Sequence, residues 1–182
     1  MTGIIIGVIV VLLIVFVIVN YNALVKLRNI VQDQWSQIDV LLKRRADLIP
    51  NLIETVKGYT KHESETLEAV IAARNKAVNA KNQDEEINAN QELNGALRKL
   101  FALAESYPDL KANTNFLDLQ NNLTETEDKI SYARQFYNDS VLKYKNKIEV
   151  FPSNIIASLF GFKPIAFFEV NEEERKTPTV KF

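Results

Sequence analysis

Residues 35–74 read WSQIDVLLKRRADLIPNLIETVKGYTKHESETLEAVIAAR, and their reading decides the fold. Trp35, Ile38 and Leu42 precede a proline; Leu52, Val56 and Tyr59 follow it, then Leu67 and Val70. Steps of three and four place these side chains along one stripe of an α-helix. Pro50 has no amide proton for an inner helical turn and disfavours helical geometry in the residue before it. The pattern therefore predicts two helices joined tightly across residues 48–50, with Asp47 and Pro50 at the link. A single kinked helix is the alternative.

Upstream, residues 4–19 are apolar throughout, with Gly7 contributing no side chain. At the helical rise, residues 1–19 reach roughly 28 Å, about the hydrocarbon thickness of a bilayer. Tyr21 stands at the exit, where an amphipathic ring suits the headgroup layer. A cleaved signal peptide wants a basic start and small residues before the cut. Met-Thr-Gly at the start and Val-Asn-Tyr-Asn at the exit supply neither, so residues 1–21 are expected to be an uncleaved single-pass anchor. Lys26 and Arg28 follow it, then Lys43, Arg44 and Arg45, while no Lys or Arg precedes it. The positive-inside rule then puts the body of the protein in the cytoplasm and the amino terminus outside. Arg44 and Arg45 are expected on a solvated face, with lipid headgroups or a partner as the alternative.

Leu24, Leu27, Val31, Trp35, Ile38 and Leu42 carry the helical step from the anchor into the body without a flexible linker. A second helix is expected over residues 50–80, a polar loop over 79–88, and a third helix through Leu93, Leu97, Leu100, Ala104 and Tyr107 up to Pro108. The fourth has the longest seam. Phe116, Leu119, Leu123, Thr126, Ile130, Ala133, Tyr137, Val141, Tyr144, Ile148 and Phe151 are spaced by three or four, and a seam this long asks for helical partners. Asn113 or Thr114 is placed to cap it. The fold expected is all-α: a transmembrane helix continuing into an elongated antiparallel four-helix bundle over residues 22–150. Residues 151–182 add a short amphipathic helix, capped by Ser153 or Asn154 and ended by Gly161 and Pro164, and an extended tail. Ile155, Ile156, Leu159, Phe160 and Phe162 make this segment apolar enough to form a large patch if exposed. They either cover one end of the bundle or form a docking surface for another subunit, a partner or the membrane interface.

RRADLIPNLIETVKGYTKHE followed by AAR, with Tyr21-Asn22 upstream and FPSNIIASLFGF downstream, resembles the LemA family. The resemblance covers nearly the whole chain, and it implies a bacterial cell-membrane protein with one span followed by a bundle of long helices.

Composition narrows the chemistry. Lys and Arg number 22 against 23 Asp and Glu, so no bulk positive field favours nucleic acid. The absence of cysteine excludes disulfides, thiolate metal sites, thiol nucleophiles and a lipidated cysteine. His62-Glu63 begins like a zinc-protease H-E-x-x-H, but residue 66 is Thr. One histidine is too few for the paired Glu-x-x-His of a di-iron bundle. No nucleophile turn or glycine-rich phosphate loop is present, so no cofactor and no metal are expected. Four charges are out of place: Asp39, Glu63, Arg74 and Arg134 lie at or beside positions of the apolar stripe, and both arginines follow an alanine. They are expected to form buried ion pairs that set helix register, or a ligand or partner site. The function expected is a non-enzymatic scaffold or adaptor in contact with the lipid bilayer, assembling with itself or with other membrane proteins. A tethered ligand sensor and an enzyme are the alternatives.

Overall fold

The computed structural model describes residues 1–60 and 63–168; His62 and the polar stretch from residue 171 onward lie outside them. The described residues are helical without a strand. The helices are α1 (Thr2–Lys57), α2 (Ser64–Val78), α3 (Gln83–Ala104), α4 (Pro108–Lys111), α5 (Thr114–Glu149) and α6 (Ser153–Leu159). Contacts group them into two compact units. One holds Met1–Ser36 with Arg134–Phe182, the other Gln37–Ala133.

The expected link at Asp47 and Pro50 does not form. Helix α1 runs through Pro50 and ends at Lys57. Its buried stripe continues unbroken from Leu42 through Ala46, Ile49, Leu52, Ile53 and Val56. The chain turns later, where Tyr59 and Thr60 donate backbone N–H groups to the Val56 carbonyl and the Thr60 hydroxyl donates to the same oxygen at 3.1 Å. Gly58, a poor helix former, stands at this point. The helix expected over residues 50–80 is therefore divided between the last turns of α1 and the whole of α2.

The loop expected over residues 79–88 is shorter as well. Asn82 accepts from the Glu85 amide at 2.9 Å through Oδ1, and Glu85 Oε2 accepts from the Lys81 amide at 2.9 Å. This reciprocal cap starts α3 at Gln83, inside a segment whose polarity masks it. With so short a turn, α2 and α3 form an antiparallel pair. At the other end, α3 stops at Ala104 and Tyr107 belongs to the turn before α4.

Within the Gln37–Ala133 unit, Ile49, Leu52, Ile53 and Val56 of α1 pack with Leu67 and Val70 of α2 and with Leu93, Leu97 and Leu100 of α3. Leu110, Phe116 and Leu123 complete the cluster. Each such side chain, fully buried, contributes about 1.5–3 kcal/mol.

The seam expected on α5 is buried or half-buried from Phe116 to Ile148, and Asn113 caps the helix by accepting from the Phe116 amide at 3.0 Å. Phe151, the last member, is exposed. In the unit that contains Met1–Ser36 the two long helices are antiparallel: Trp35 meets Tyr137 edge-on, and Asn20, nearer the amino terminus of α1, bonds Lys147, nearer the carboxyl terminus of α5.

Helix α6 has no side-chain cap at its start. Ser153 instead donates back to the Lys147 and Val150 carbonyls, closing the end of α5. Its own end follows the left-handed glycine pattern. Gly161 has φ of 71°, Phe162 donates its amide to Ala157 at 2.9 Å, and Gly161 to Ser158 at 3.3 Å. Residues 163–168 then run along α5. The Tyr144 hydroxyl donates to the Lys163 carbonyl at 2.9 Å and Tyr137 to Ala166 at 2.9 Å, while Asn138 exchanges two bonds with Phe168.

Truncating Leu52 or Leu93, both fully buried, to alanine is expected to destabilise the protein by about 2–5 kcal/mol. Thermal or denaturant unfolding of the purified chain measures it. A loss no larger than that of an exposed-site control would contradict the packing described.

Candidate functional site

The polar groups most enclosed by protein lie in the Gln37–Ala133 unit, and they start from Arg45. This side chain, expected on a solvated face, is 1% exposed. Its Nη1 donates to Glu127 Oε2 at 2.6 Å on α5 and to Asn94 Oδ1 on α3. Its Nη2 donates to the Asn90 side-chain oxygen one turn earlier on α3. Asn94 in turn donates to Glu127 Oε1 at 3.3 Å. One guanidinium thus ties α1, α3 and α5 together. Its neighbours in sequence explain the burial. Leu42, Ala46 and Ile49 face the core at helical spacing, and Arg45 falls within the same face. The pattern treats a charge beside Lys43 and Arg44 as surface; the two asparagines and the glutamate that receive it are distant in sequence.

Arg74, on α2, does something the sequence did not anticipate. Its Nε donates to the backbone oxygen of Ala46 at 2.9 Å. Ala46 is the residue whose carbonyl would, in an uninterrupted helix, accept from the amide of residue 50. Pro50 has no such amide. The guanidinium from the neighbouring helix therefore supplies the missing donor, and α1 continues past its proline. Nη1 of Arg74 makes a longer contact with Asn75 Oδ1 at 3.4 Å. The carboxylate partner expected for this arginine is replaced by a carbonyl and an amide.

Asp39, Lys43, Asp47, Arg74, Glu86 and Asn90 line a cavity of about 380 Å³. Inside it Glu86 is held protonated to about 7, from an ordinary 4.5, first by burial, then by the charge of Asp39, then by a hydrogen bond with Asp39. Two carboxyl groups this close share a proton more readily than they carry two charges. A second, smaller cavity of about 210 Å³ opens beside Arg45, Asn94, Arg98 and Glu127.

The four out-of-place charges are not gathered at one point. Asp39 and Arg74 line the same cavity. Glu63 accepts from the Tyr107 hydroxyl at 3.0 Å, and the resulting contact pushes the phenol up. Arg134, in the other unit, lies over the Phe168 ring at 4.5 Å, a cation–π contact beside Trp35. Of the apolar residues on the segment after α5, Ile156 is 4% exposed and belongs to the packing, and Phe162 is half-buried beneath Arg28. Ile155, Leu159 and Phe160 remain exposed. Among the described residues no group of three or more His, Cys, Asp or Glu is arranged to hold a metal ion.

Two measurements follow from this geometry. Arg74→Met is expected to cost about 1.5–3 kcal/mol in the natural chain, the range for a hydrogen bond from a charged group, and less when residue 50 is alanine. The difference in a double-mutant cycle should be about 1 kcal/mol; independent effects would refute the rescue of the Ala46 carbonyl. For Glu86, the folded chain keeps its proton up to about 7 while an unfolded glutamate releases it near 4.5. The folded state therefore binds more protons across that window, and stability falls as pH rises through it. The melting temperature should drop between pH 5 and pH 8, and Glu86→Gln should flatten that slope.

Comparison with known proteins covers the region that holds these contacts. The model of the LemA family matches residues 34–182. Protein LemA of Metamycoplasma hominis is 30% identical over 158 residues, covering 85% of this chain and 71% of that protein. Magnetosome protein MamQ 2 of Paramagnetospirillum magneticum is 24% identical over 178 residues, and Magnetosome protein MamQ of Magnetospirillum gryphiswaldense 23% over 177. These alignments take in 84% and 83% of this chain and 65% of each magnetosome protein, so the chain spans a little under two thirds of those relatives. The matched region begins one residue before Trp35 and includes Arg45, Pro50 and Arg74 as well as α6, and on that match this chain belongs to the LemA family.

Proposed function

We propose that this chain is a non-catalytic scaffold, tethered to a bacterial cell membrane by one span, that assembles with copies of itself or with other envelope proteins. The observation that supports it most is the continuity of α1. The same helix begins with an exposed apolar segment of mean hydropathy 3.4, long enough to cross a bilayer, and ends with side chains buried in the core of the Gln37–Ala133 unit. A span that runs into the folded body without a linker suits a protein that presents its surface to others close to the lipid. The Lys and Arg that follow the span, beginning with Lys26 and Arg28, favour a cytoplasmic body and an external amino terminus. Exposed large side chains such as Val40, Tyr132 and Phe136 offer apolar contact to a partner.

A second reading, a tethered sensor of a small ligand, draws support from the cavity of about 380 Å³ that Arg74 and Glu86 line. With Glu86 protonated, Asp39 and Asp47 balance Lys43 and Arg74 there, so a neutral polar ligand suits it better than an ion of either sign.

Photo-crosslinkers placed at Val40 and Tyr132 of the full chain in intact membranes distinguish these readings. Scaffolding predicts discrete crosslinked products containing a second copy or other membrane proteins, unaffected by Glu86→Gln. Loss of every product on that substitution would favour the sensor. Turnover of any substrate that disappears with a single carboxylate change would overturn both. Protease access from one side of sealed vesicles tests the orientation.

A further inference from the structure

Helix α6 and the turn before it present an apolar surface that the other described residues leave open. Phe151 is 74% and Leu159 73% exposed, and Val150, Ile155 and Phe160 are exposed with them. Ile155 and Leu159 are four apart on α6 and form one stripe, with Phe151 exposed in the turn before it, while Ser153, Ile156 and Ala157 point into the packing. The location of this stripe identifies its occupant. The Phe160 ring meets the Tyr21 ring edge-on at a centroid distance of 4.9 Å, and Phe162 meets the same ring at 5.7 Å. Tyr21 ends the apolar run of α1, so these contacts fix α6 at the depth where that run leaves the hydrocarbon.

Polar groups at the same level agree. Lys147 Nζ donates to Asn20 Oδ1 at 3.0 Å, and Arg28 lies over the Phe162 ring at 5.4 Å. Residues 150–168 carry Lys163 and no carboxylate. An apolar stripe next to a membrane exit, with Arg28, Lys147 and Lys163 around it against the one carboxylate of Glu149, has the composition of a helix that lies in the interface of a bilayer.

We propose that α6 is a second, in-plane membrane contact. Val150, Phe151, Ile155, Leu159 and Phe160 enter the boundary between headgroups and acyl chains of the same bilayer that α1 crosses, and Arg28, Lys147 and Lys163 face the lipid phosphates. The proposal rests on the reading of residues 1–21 as a membrane span. It adds that the protein grips the bilayer at two points, which restrains rotation about the axis of α1 in a way that one span alone does not.

The chain has no cysteine, so each introduced thiol carries a label unambiguously. The full chain is reconstituted at one copy per lipid nanodisc of mixed neutral and anionic phospholipid, with a fluorophore on Leu12→Cys, Phe151→Cys, Leu159→Cys or Tyr132→Cys, and is read with lipids brominated at known depths. The labels at 151 and 159 should be quenched by shallow bromines, at about 5–10 Å below the headgroup boundary. The label at 12 should be quenched by deep bromines and that at 132 by neither. Deep quenching at 12 with unquenched labels at 151 and 159 overturns the in-plane contact alone; loss of quenching at 12 overturns the span itself. Shielding of 151 and 159 that needs two copies per disc assigns the surface to a second copy and also overturns the proposal. Leu159→Glu should leave the melting temperature unchanged and move the label at 151 toward water. A large fall in melting temperature would show that Leu159 is a packing residue and contradict the proposal.

Discussion

A hydrogen bond from Arg74 Nε satisfies the Ala46 carbonyl that Pro50 leaves without its helical donor inside α1. Proline within a helix removes a donor and pushes its ring toward the carbonyl four residues back, at a cost of about 3 kcal/mol. Here the ring of Pro50 lies on an exposed face, and the carbonyl deprived of its partner accepts from the neighbouring helix instead. The consequence reaches both ways along the chain. Because α1 does not break at Pro50, Ile49, Leu52, Ile53 and Val56 stay in register with Leu42 and Ala46, and the core of the Gln37–Ala133 unit has one continuous wall.

Arg45 acts in the same unit by another route. A buried guanidinium is not a gain in stability by default, since taking it from water costs several kcal/mol that its partners offset only with good geometry. Its bonds to Asn90, Asn94 and Glu127 are directional, and they are satisfied in one register of α1 against α3 and α5. Slipping any of the three helices by one turn would leave the charge buried among apolar side chains. The network thus selects between alternative packings of stripes that hydrophobicity alone treats as nearly equivalent. The protonated Glu86 beside Asp39 belongs to the same enclosed polar region, and it makes that region responsive to pH around neutrality.

In the unit that contains the apolar amino-terminal run, a ladder of side-chain to backbone bonds holds the segment after α6 against α5. Tyr144, Tyr137 and Asn138 succeed one another along α5 and pin residues 163, 166 and 168. Phe168 lies buried, its ring centroid 6.0 Å from that of Trp35 and 4.5 Å from the Arg134 guanidinium. Phenylalanines of this segment divide between packing and surface: Phe168 is buried beside Trp35, whereas Phe160 touches Tyr21 and remains exposed.

Periodicity was enough to predict an all-helical chain, its apolar first segment and the seam of α5; residue preference narrowed the cap of α5 to Asn113 or Thr114 and put a stop at Gly161, and the motif around residues 44–63 carried the resemblance to the LemA family. Those features depend on residues three or four apart, or on one residue's own backbone, and such information is local. Tertiary structure decided what happens at Pro50, because the donor that rescues Ala46 comes from residue 74. It also decided that Arg45 is buried, since its three partners lie 45 to 82 positions away. The start of α3 was legible in Asn82 and Glu85 but hidden by a polar run that reads as loop. A helix can be recognised from its own beat, whereas the satisfaction of a buried charge or a proline-orphaned carbonyl depends on groups that only the folded chain brings within 3 Å.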